Sequence, residues 1–499
     1  MKQNIYNAQI IKLTGGQSKD DVSKIEAFFE LLEEKCDLPL VSKSILREHF
    51  LEAFEYYLDN GKTVTEVCEL LDPQKLGDFY LDDDRKYYSL DNAAIVYPLG
   101  MTFDQMPMFR LSVVLFDDVV PELLQIALDL TIRRFPLFLS VIKNGFFWHY
   151  LETNKIIPVV EQENDIPCKP ISLILRSNRS FRLLYYKKRI SLEVFHVLSD
   201  GSGALIFLKT LVSEYLRLSG HEIPCEKGVR DLDEPIVEQE LANEFINAKG
   251  SGSLSTFTDK RALQLDGKLV HTNMSRIIHF NMNATSLRKK AKEYGGTVTT
   301  YLLALEFLAI RKAISANKGV VNVQIPVNMR KFDHSITMRN YSMYFNASCE
   351  INEIKDRKQL VDLFNEQFKE RGNEEVMNTM MKTTDNLIRS LSFVPLIIKT
   401  PLMQVIYPYM ANNIVTGVLS NLGVIEAPEQ LKEYVDRFMF ILNPSRPNRF
   451  MSTLATYNDK TVFTISKANR EDTFESELLR LLEEDGLKVE LEGSVDYES

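Results

Sequence analysis

Three residues at a fixed spacing mark the stretch of this chain that is best suited to chemistry. His196, Asp200 and Gly201 spell H-x-x-x-D-G within residues 195–203 (Phe-His-Val-Leu-Ser-Asp-Gly-Ser-Gly). A neutral imidazole can take a proton from a hydroxyl or an amine. An aspartate four residues later can fix the geometry of a turn, and a glycine leaves room for a close approach. The pattern indicates a general base with a structural support, or else an ordinary strand–turn–helix junction that contains a histidine.

The elements that must position these residues are a strand predicted at residues 189–198 and a helix predicted at 204–216. The even positions of the strand are apolar apart from His196, whereas the odd ones include Arg189, Ser191 and Glu193. Because side chains alternate between the two faces of a strand, we expect His196 on the inward, apolar face. An imidazole in a partly dry site stays neutral, as a general base requires.

Length and composition limit the classes to which the protein can belong. The chain has 499 residues, 45% hydrophobic and 26% charged, which is globular composition and long enough for two or three structural units. A formal net charge of -10 argues against a nucleic-acid binder. The residues that begin the chain, Met-Lys-Gln-Asn-Ile-Tyr, contain no apolar signal core, so we expect a cytoplasmic protein.

The sequence contains no motif for metal binding or for nucleotide hydrolysis. The five cysteines have no C-x-x-C spacing, and the histidines form no H-x-x-x-H or H-E-x-x-H pair, so neither a zinc site nor a disulfide framework is supported. G-x-x-x-x-G-K-[ST] and G-x-S-x-G are also absent, which leaves P-loop and serine-hydrolase chemistry without a motif.

The order of the predicted elements divides the chain into three parts. Residues 1–84 read as a helical appendage, which is either an interaction module or a packing extension of the main body. Residues 85–266 form a unit that carries the H-x-x-x-D-G motif and ends in a linker, and residues 267–499 form a second unit. Strands and helices mix without strict β-α-β alternation, which favours an α+β fold.

One apolar run, at residues 391–419, is interrupted by Pro395, Pro401 and Pro408. It is too broken to predict a membrane-spanning helix, so we interpret it as buried core or as the wall of an apolar tunnel. Peripheral contact with a membrane surface is the alternative.

Four segments together resemble the CoA-dependent acyltransferase superfamily, which includes chloramphenicol acetyltransferase, alcohol acyltransferases and the condensation domains of peptide synthetases. The first segment is the H-x-x-x-D-G motif itself. Residues 297–305 (Thr-Val-Thr-Thr-Tyr-Leu-Leu-Ala-Leu) resemble the helix that opens the second lobe of the family. Residues 323–331 (Val-Gln-Ile-Pro-Val-Asn-Met-Arg-Lys) resemble the strand of the family that ends in V-N-x-R, and Ser420-Asn-Leu-Gly resembles the S-N-x-G segment. The resemblance covers roughly residues 85 to 490.

The resemblance implies a fold and a reaction. The fold would be two chloramphenicol-acetyltransferase-like lobes, each a mixed β-sheet flanked by helices, with a central tunnel and the helical appendage in front. The activity would be O-acyl transfer, with acetyl as the expected acyl group, from acyl-CoA to a hydroxyl of a small or hydrophobic acceptor. Acyl-CoA is then a co-substrate and no cofactor is expected. We expect a monomer that binds no nucleic acid.

The resemblance also implies roles for individual residues. His196 would be the general base, and Asp200 would pair with Arg330 and brace the loop. Gly201 would leave room beside the thioester. Ser420 or Asn421 would donate a hydrogen bond to the developing oxyanion.

Departures from the family pattern narrow the reaction. Many condensation domains have two adjacent histidines, but Phe195 stands at the first position here and is expected to serve packing. The plant-type D-F-G-W-G is absent, so the match is nearest to bacterial alcohol acetyltransferase-like proteins. Two alternatives stay open. One is N-acyl transfer or condensation from a carrier-bound thioester, and the other is a non-catalytic binding protein that kept the fold.

Overall fold

The computed structural model describes residue 10 and residues 12–81, 86–100, 106–154, 156–171, 180–249, 261–269, 276–410, 414–444 and 449–493. The predicted linker at 220–266 includes residues 250–260, which lie outside this described part.

Three helices form the N-terminal appendage. They are α1 (Lys19–Glu34), α2 (Leu40–Asp59) and α3 (Val64–Leu71). Thr63 begins α3 with a capping box that includes Glu66, which satisfies backbone N–H groups at the helix start.

The appendage packs on the body of the protein. His49 Nδ1 of α2 lies 2.7 Å from Asp129 Oδ2, and Tyr57 Oη donates to the carbonyl of Leu218. The buried apolar side chains of the three helices belong to the same cluster as those of the following unit. These contacts favour a packing extension over a separate interaction module.

The N-lobe follows the appendage. Its elements in chain order are β1 (Tyr87–Ser89), α4 (Val96–Gly100), β2 (Met108–Leu115), α5 (Pro121–Thr131), β3 (Ser140–Asn144), β4 (His149–Thr153), β5 (Val160–Gln162), β6 (Phe181–Tyr186), β7 (Arg189–Phe195) and α6 (Gly201–Leu218). Strands β3 and β4 form a hairpin, and β1 pairs with β4.

The C-lobe contains the longer sheet. Its elements in chain order are β8 (Arg276–Asn283), α7 (Ala284–Glu293), α8 (Val298–Lys312), β9 (Val320–Asn328), α9 (Arg330–Asp333), β10 (Ser342–Glu350), α10 (Arg357–Arg371), α11 (Glu374–Ser390), α12 (Leu396–Met410), β11 (Gly417–Val424), β12 (Val435–Leu442), β13 (Phe450–Tyr457), β14 (Lys460–Lys467), α13 (Thr473–Glu484) and β15 (Val489–Gly493).

Two mixed sheets organise the lobes. The C-lobe sheet has the order β10-β9-β11-β13-β14-β8-β15, in which β11 runs parallel to both β9 and β13. The N-lobe sheet has the order β12-β2-β7-β6-β5 and is antiparallel except for the β5–β6 pair. This architecture agrees with the predicted α+β class.

One strand crosses between the predicted units. Strand β12 lies beyond residue 266 in the sequence, yet it pairs antiparallel with β2 at the edge of the N-lobe sheet. The side chains of Thr453 and Ser466, from β13 and β14, donate hydrogen bonds to the carbonyls of Phe440 and Leu442 in β12. A linear division at 266 therefore does not describe this strand.

Beyond Arg189, strand β7 is buried on both faces, the polar odd positions included. Ser191 and Glu193 are both buried although they alternate with the apolar positions. Arg110 and Arg182 donate to the carboxylate of Glu193, and these charge-assisted hydrogen bonds satisfy a buried charge. The polar side chains of this face meet each other inside the protein.

Helix α12 departs from the interpretation of residues 391–419 as buried core. It begins directly after Pro395 and continues through Pro401. Ile397, Ile398 and Leu402 on this helix are exposed. No helix in the described part of the chain is long and apolar enough to cross a membrane.

Helix α8 carries a buried carboxyl group. Glu306 is fully buried, and no basic side chain among the described residues forms an ion pair with it. Burial raises the pKa of Glu306 to about 8 from an ordinary 4.5. The folded state therefore keeps a proton that the unfolded chain releases.

This raised pKa predicts a pH-dependent stability. The contribution of Glu306 to stability is fully present below about pH 4.5 and is lost as the pH rises toward 8. We expect Glu306→Gln to raise the free energy of unfolding by at least about 1 kcal/mol near pH 8, with the gain vanishing toward pH 4.5. Denaturant titrations across this range measure the difference. Parallel pH profiles for the two chains would contradict the prediction.

Candidate active site

His196 lies in the turn directly after β7, one residue beyond the end of the strand. The backbone N–H of His196 still donates to Pro107 O at 2.9 Å, but Pro107 has no N–H to return the bond, and the N–H of Leu198 turns back to Phe195 O at 2.9 Å. The alternation of the strand therefore stops before His196 and does not itself orient it. The part-buried imidazole lies 4.9 Å from the ring of Tyr97 and 5.1 Å from the ring of Phe109, centroid to centroid.

Hydrogen bonds that run from Asp91 through Asn340 to His196 fix the orientation of the imidazole. His196 Nδ1 lies 2.8 Å from Asn340 Oδ1, and Asn340 Nδ2 donates to Asp91 Oδ2 at 3.1 Å. Asp91 is fully buried, and its other oxygen accepts from the backbone N–H of Ala94 at 2.8 Å. The Arg339 guanidinium, with Nε 3.6 Å from Asp91 Oδ2, gives this buried carboxylate an opposite charge.

This chain of hydrogen bonds determines which nitrogen of His196 carries the proton. Burial raises the pKa of Asp91, whereas the Arg339 guanidinium and the hydrogen bonds from Ala94 and Asn340 favour its carboxylate form. A carboxylate only accepts, so with Asp91 ionised the Asn340 amide turns its NH2 group toward Asp91 and its oxygen toward His196. An amide oxygen also only accepts, so the proton of the neutral ring is assigned to Nδ1. Within the described part of the chain, Nε2 of His196 has no hydrogen-bond partner. Its lone pair is the one available to accept a proton.

Asp200 begins helix α6 and points toward the C-lobe. As the N-cap it accepts from Gly203 N at 3.0 Å, and its Oδ2 accepts from Arg330 Nη1 and from Tyr341 N, both at 2.8 Å. Burial alone would raise the pKa of Asp200, but the charge and hydrogen bond of Arg330 lower it below its ordinary value. The carboxylate thus stays ionised where it joins the lobes.

Arg330 is held by more than its charge. Its Nε donates to Thr337 O at 2.9 Å and its Nη2 donates to Arg339 O at 2.6 Å. These bonds fix the segment that leads to Asn340. Arg330 therefore connects the aspartate of the motif to the residue that hydrogen-bonds His196.

Two glycines allow the close approach of the lobes. A Cβ on Gly201 would lie 3.0 Å from Leu422 Cδ2 of the C-lobe. A Cβ on Gly203 would lie 2.2 Å from Met338 O, and a backbone atom cannot move aside as a flexible side chain can. Gly203 is thus the more constrained of the two, although the sequence indicated Gly201.

The Ser420-Asn-Leu-Gly segment is the end of β11 and contacts two other segments of the pattern. Asn421 Nδ2 donates to Thr299 Oγ1 at 2.9 Å, and Asn421 Oδ1 accepts from Gly423 N at 2.7 Å. Gly423 adopts a positive φ of 76° at this turn. Ser420 is part-buried, and its side chain has no hydrogen bond to a described residue.

The structure brings the four sequence segments together. Asp200 pairs with Arg330, Ser202 Oγ accepts from Asn328 Nδ2 at 3.0 Å, Gly201 adjoins Leu422, and Asn421 bonds Thr299. Sequence reasoning missed Asp91, Tyr97 and Asn340, because they lie in segments without a recognisable spacing. A buried-acid signal at Asp91 is visible only after folding.

The described residues form no metal-binding group near His196. Among the described residues, no group of three or more histidine, cysteine, aspartate or glutamate side chains is placed to hold a metal ion. One cavity of about 960 Å³ lies in the C-lobe, lined by residues that include Arg311, Arg357 and Arg480, and contains none of the site residues. The tunnel past His196 stays a prediction.

Solved structures share this fold. The first condensation domain of the calcium-dependent antibiotic synthetase matches with a TM-score of 0.56 at 13% identity, covering 80% of this chain and 96% of that chain. Trichothecene 15-O-acetyltransferase from Fusarium sporotrichioides matches with a TM-score of 0.55 at 12% identity, covering 80% of this chain and 94% of that chain. The F. graminearum TRI101 protein, complexed with coenzyme A and T-2 mycotoxin, matches with a TM-score of 0.51 at 9% identity, covering 81% and 99%. No family model and no curated protein matches the sequence.

The chain therefore has the two-lobed fold shared by CoA-dependent acyltransferases and condensation domains. This finding confirms the fold that the four sequence segments predict.

Proposed function

We propose that the protein transfers an acyl group, with acetyl as the expected one, from acyl-CoA to a hydroxyl of a small or hydrophobic acceptor. The observation that carries this proposal is the hydrogen-bond chain from Asp91 through Asn340 to His196, which leaves Nε2 as a base. It occurs on a fold whose solved examples include an acetyltransferase and a protein in complex with coenzyme A.

The reaction needs one base and no covalent enzyme intermediate. Nε2 of His196 takes the proton of the acceptor hydroxyl, and the oxygen attacks the thioester carbonyl carbon. The tetrahedral intermediate collapses with cleavage of the carbon–sulfur bond. The thiolate of CoA then receives the proton from the imidazolium, so the base is regenerated. Nδ1 keeps its proton and donates it to Asn340 Oδ1 throughout, which keeps the ring oriented.

Ser420 is the better of the two oxyanion donors in this proposal. The Asn421 amide is already engaged with Thr299 and Gly423, whereas the Ser420 hydroxyl has no partner among the described residues. A hydroxyl aimed at the developing negative charge lowers the barrier because it stabilises the oxyanion more than the ground-state carbonyl.

The test is a substrate panel. The purified full chain is given acetyl-CoA and longer acyl-CoA thioesters with alcohols and amines, and both the free thiol and the acylated product are measured. Ester formation with release of CoA supports the proposal. Products formed only with amines, or only from a thioester on a carrier protein, would instead favour N-acyl transfer or condensation. Binding of acyl-CoA without turnover would favour a non-catalytic binding protein.

The tautomer assignment gives a prediction of its own. Asn340→Leu removes the acceptor for Nδ1–H, so the imidazole can rotate or carry its proton on Nε2. We expect kcat to fall about 10- to 100-fold, with KM nearly unchanged, since an oriented base contributes about 10²- to 10⁴-fold. Asn322→Leu is the matched control, because Asn322 is a buried asparagine of β9 outside the site. Equal activities for the two variants would contradict the assignment.

A further inference from the structure

An exposed apolar surface lies on the outside of helix α12. Phe393 is 86% exposed and Ile397 is 83% exposed, values that are unusual for large apolar side chains. Two further residues of the helix and two of the β3–β4 turn extend this surface. We call the set the apolar patch, and it consists of Phe146, Phe147, Phe393, Ile397, Ile398 and Leu402.

The two segments of the apolar patch are joined to each other. The backbone N–H of Leu396 donates to the carbonyl of Phe146 at 2.9 Å. Lys399 Nζ lies 3.0 Å from the centroid of the Trp148 ring and donates to Leu391 O at 3.1 Å. The helix and the turn therefore form one continuous surface.

The exposed charges beside the apolar patch in the sequence are basic, and the acidic neighbour Asp385 is buried and paired with Arg389. Residues 386–410 and 143–149 contain no aspartate or glutamate, although the whole chain has a net charge of -10. The exposed cations here are Lys143 and Arg389, the latter paired through Nε with Asp385. An anionic surface would be repelled by most of the protein and accepted at this face. Aromatic and aliphatic tips beside cations suit the interface of a bilayer with anionic headgroups.

The dimensions exclude a span and fit a helix that lies on the surface. Helix α12 has 15 residues, roughly 22 Å, and the hydrocarbon core of a bilayer is about 30 Å thick. The apolar patch also leads toward the site, because α12 packs against α4, and Tyr97 of α4 contacts the ring of His196. A lipid-dissolved molecule at the apolar patch would thus be one helix away from His196.

We propose that the apolar patch docks this protein on the surface of an anionic lipid bilayer. Membrane binding is independent of acyl transfer, and only the delivery of an apolar substrate rests on the proposed function. Phe393, Ile397 and Phe146 enter the acyl-chain boundary, and Lys143 and Arg389 meet the headgroups. The face then delivers an apolar substrate to the site from the membrane side.

Vesicle flotation tests the proposal with the full chain. Vesicles of phosphatidylcholine with phosphatidylglycerol are compared with vesicles of phosphatidylcholine alone. We expect the natural chain to float with the mixed vesicles and to bind less at high salt. The fluorescence of Trp148, the single tryptophan, should shift to shorter wavelength on binding, since it lies beside the apolar patch.

Surface variants decide between outcomes. Phe393→Ser with Ile397→Ser should lower partitioning onto mixed vesicles at least about tenfold. Leu40→Ser, a position 84% exposed on α2 and outside the apolar patch, should leave it unchanged. Absence of flotation with the mixed vesicles, or equal flotation of the double variant, would overturn the proposal. So would a vesicle-free dimer that the double variant dissociates, because the apolar patch would then bind a second copy.

Discussion

Replacement of His196 by alanine is expected to lower acyl transfer about a thousandfold while the protein stays folded. A positioned general base contributes about 10²- to 10⁴-fold to the rate, and His196 is the base that we propose for this site. The side chain is part-buried against Tyr97 and Phe109, so its truncation removes little packing. Release of CoA thiol from acetyl-CoA, with an acceptor-free blank to subtract the signal of the protein's own thiols, measures the rate.

The control for this variant is a second histidine. His221 is also part-buried and also packs on an aromatic ring, since its centroid lies 4.0 Å from that of Tyr434. His221→Ala should therefore keep the rate within about twofold if a base at His196 is what matters. Thiol release by His196→Ala at the rate of the natural chain would refute the proposed mechanism.

Replacement of Asp200 by alanine is expected to lower the free energy of unfolding by about 3 to 5 kcal/mol. The part-buried Arg330 guanidinium would lose its carboxylate, and the N–H groups of Gly203 and Tyr341 would lose their acceptor. Because the pKa of Asp200 is lowered, its contribution is present above about pH 3.8 and is lost as the pH falls through the lowered value. Denaturant titration near neutral pH measures the loss.

A double variant separates the brace from a direct catalytic role. Asp200→Ala with Arg330→Met removes both charges, so it should unfold with a smaller loss than the sum of the single variants. The double variant should be more active than Asp200→Ala only to the extent that Asn340 returns to hydrogen-bonding distance of His196. Additive losses of stability would show that the ion pair is not the source of the effect. Full stability with lost activity in Asp200→Ala would assign Asp200 to the reaction itself.

The sequence was sufficient for the motif segments and the class of fold. The spacing within each segment and the order of the segments can be read from the sequence alone. These two signals were enough to name His196, Asp200, Arg330 and Ser420. Helix α6 began three residues earlier than predicted, since Asp200 caps it. Local signals of this kind, such as caps and alternation, are short-range and therefore readable.

Features that depend on contacts between residues far apart in the chain could not be predicted from the sequence. Asn340 and Asp91 are far apart in the sequence, and their hydrogen bond forms only when the lobes meet. The buried polar face of β7 has Arg110 and Arg182 as partners, and no alternation pattern reveals such pairs. The exposure of Ile397 was also missed, because an apolar run alone cannot distinguish a core from a surface.

The crossing of β12 has a consequence for any attempt to take the molecule apart. A piece of the chain that ends at the linker would lack this strand, and β2 would then be an open sheet edge with unpaired backbone groups. Such an edge recruits other chains, so the first half would aggregate although its own motif is intact. The second half would carry a loose strand with no sheet to join. Strand β12, from the last third of the chain, therefore joins the two lobes, and we expect the site at His196 to form only in the full chain.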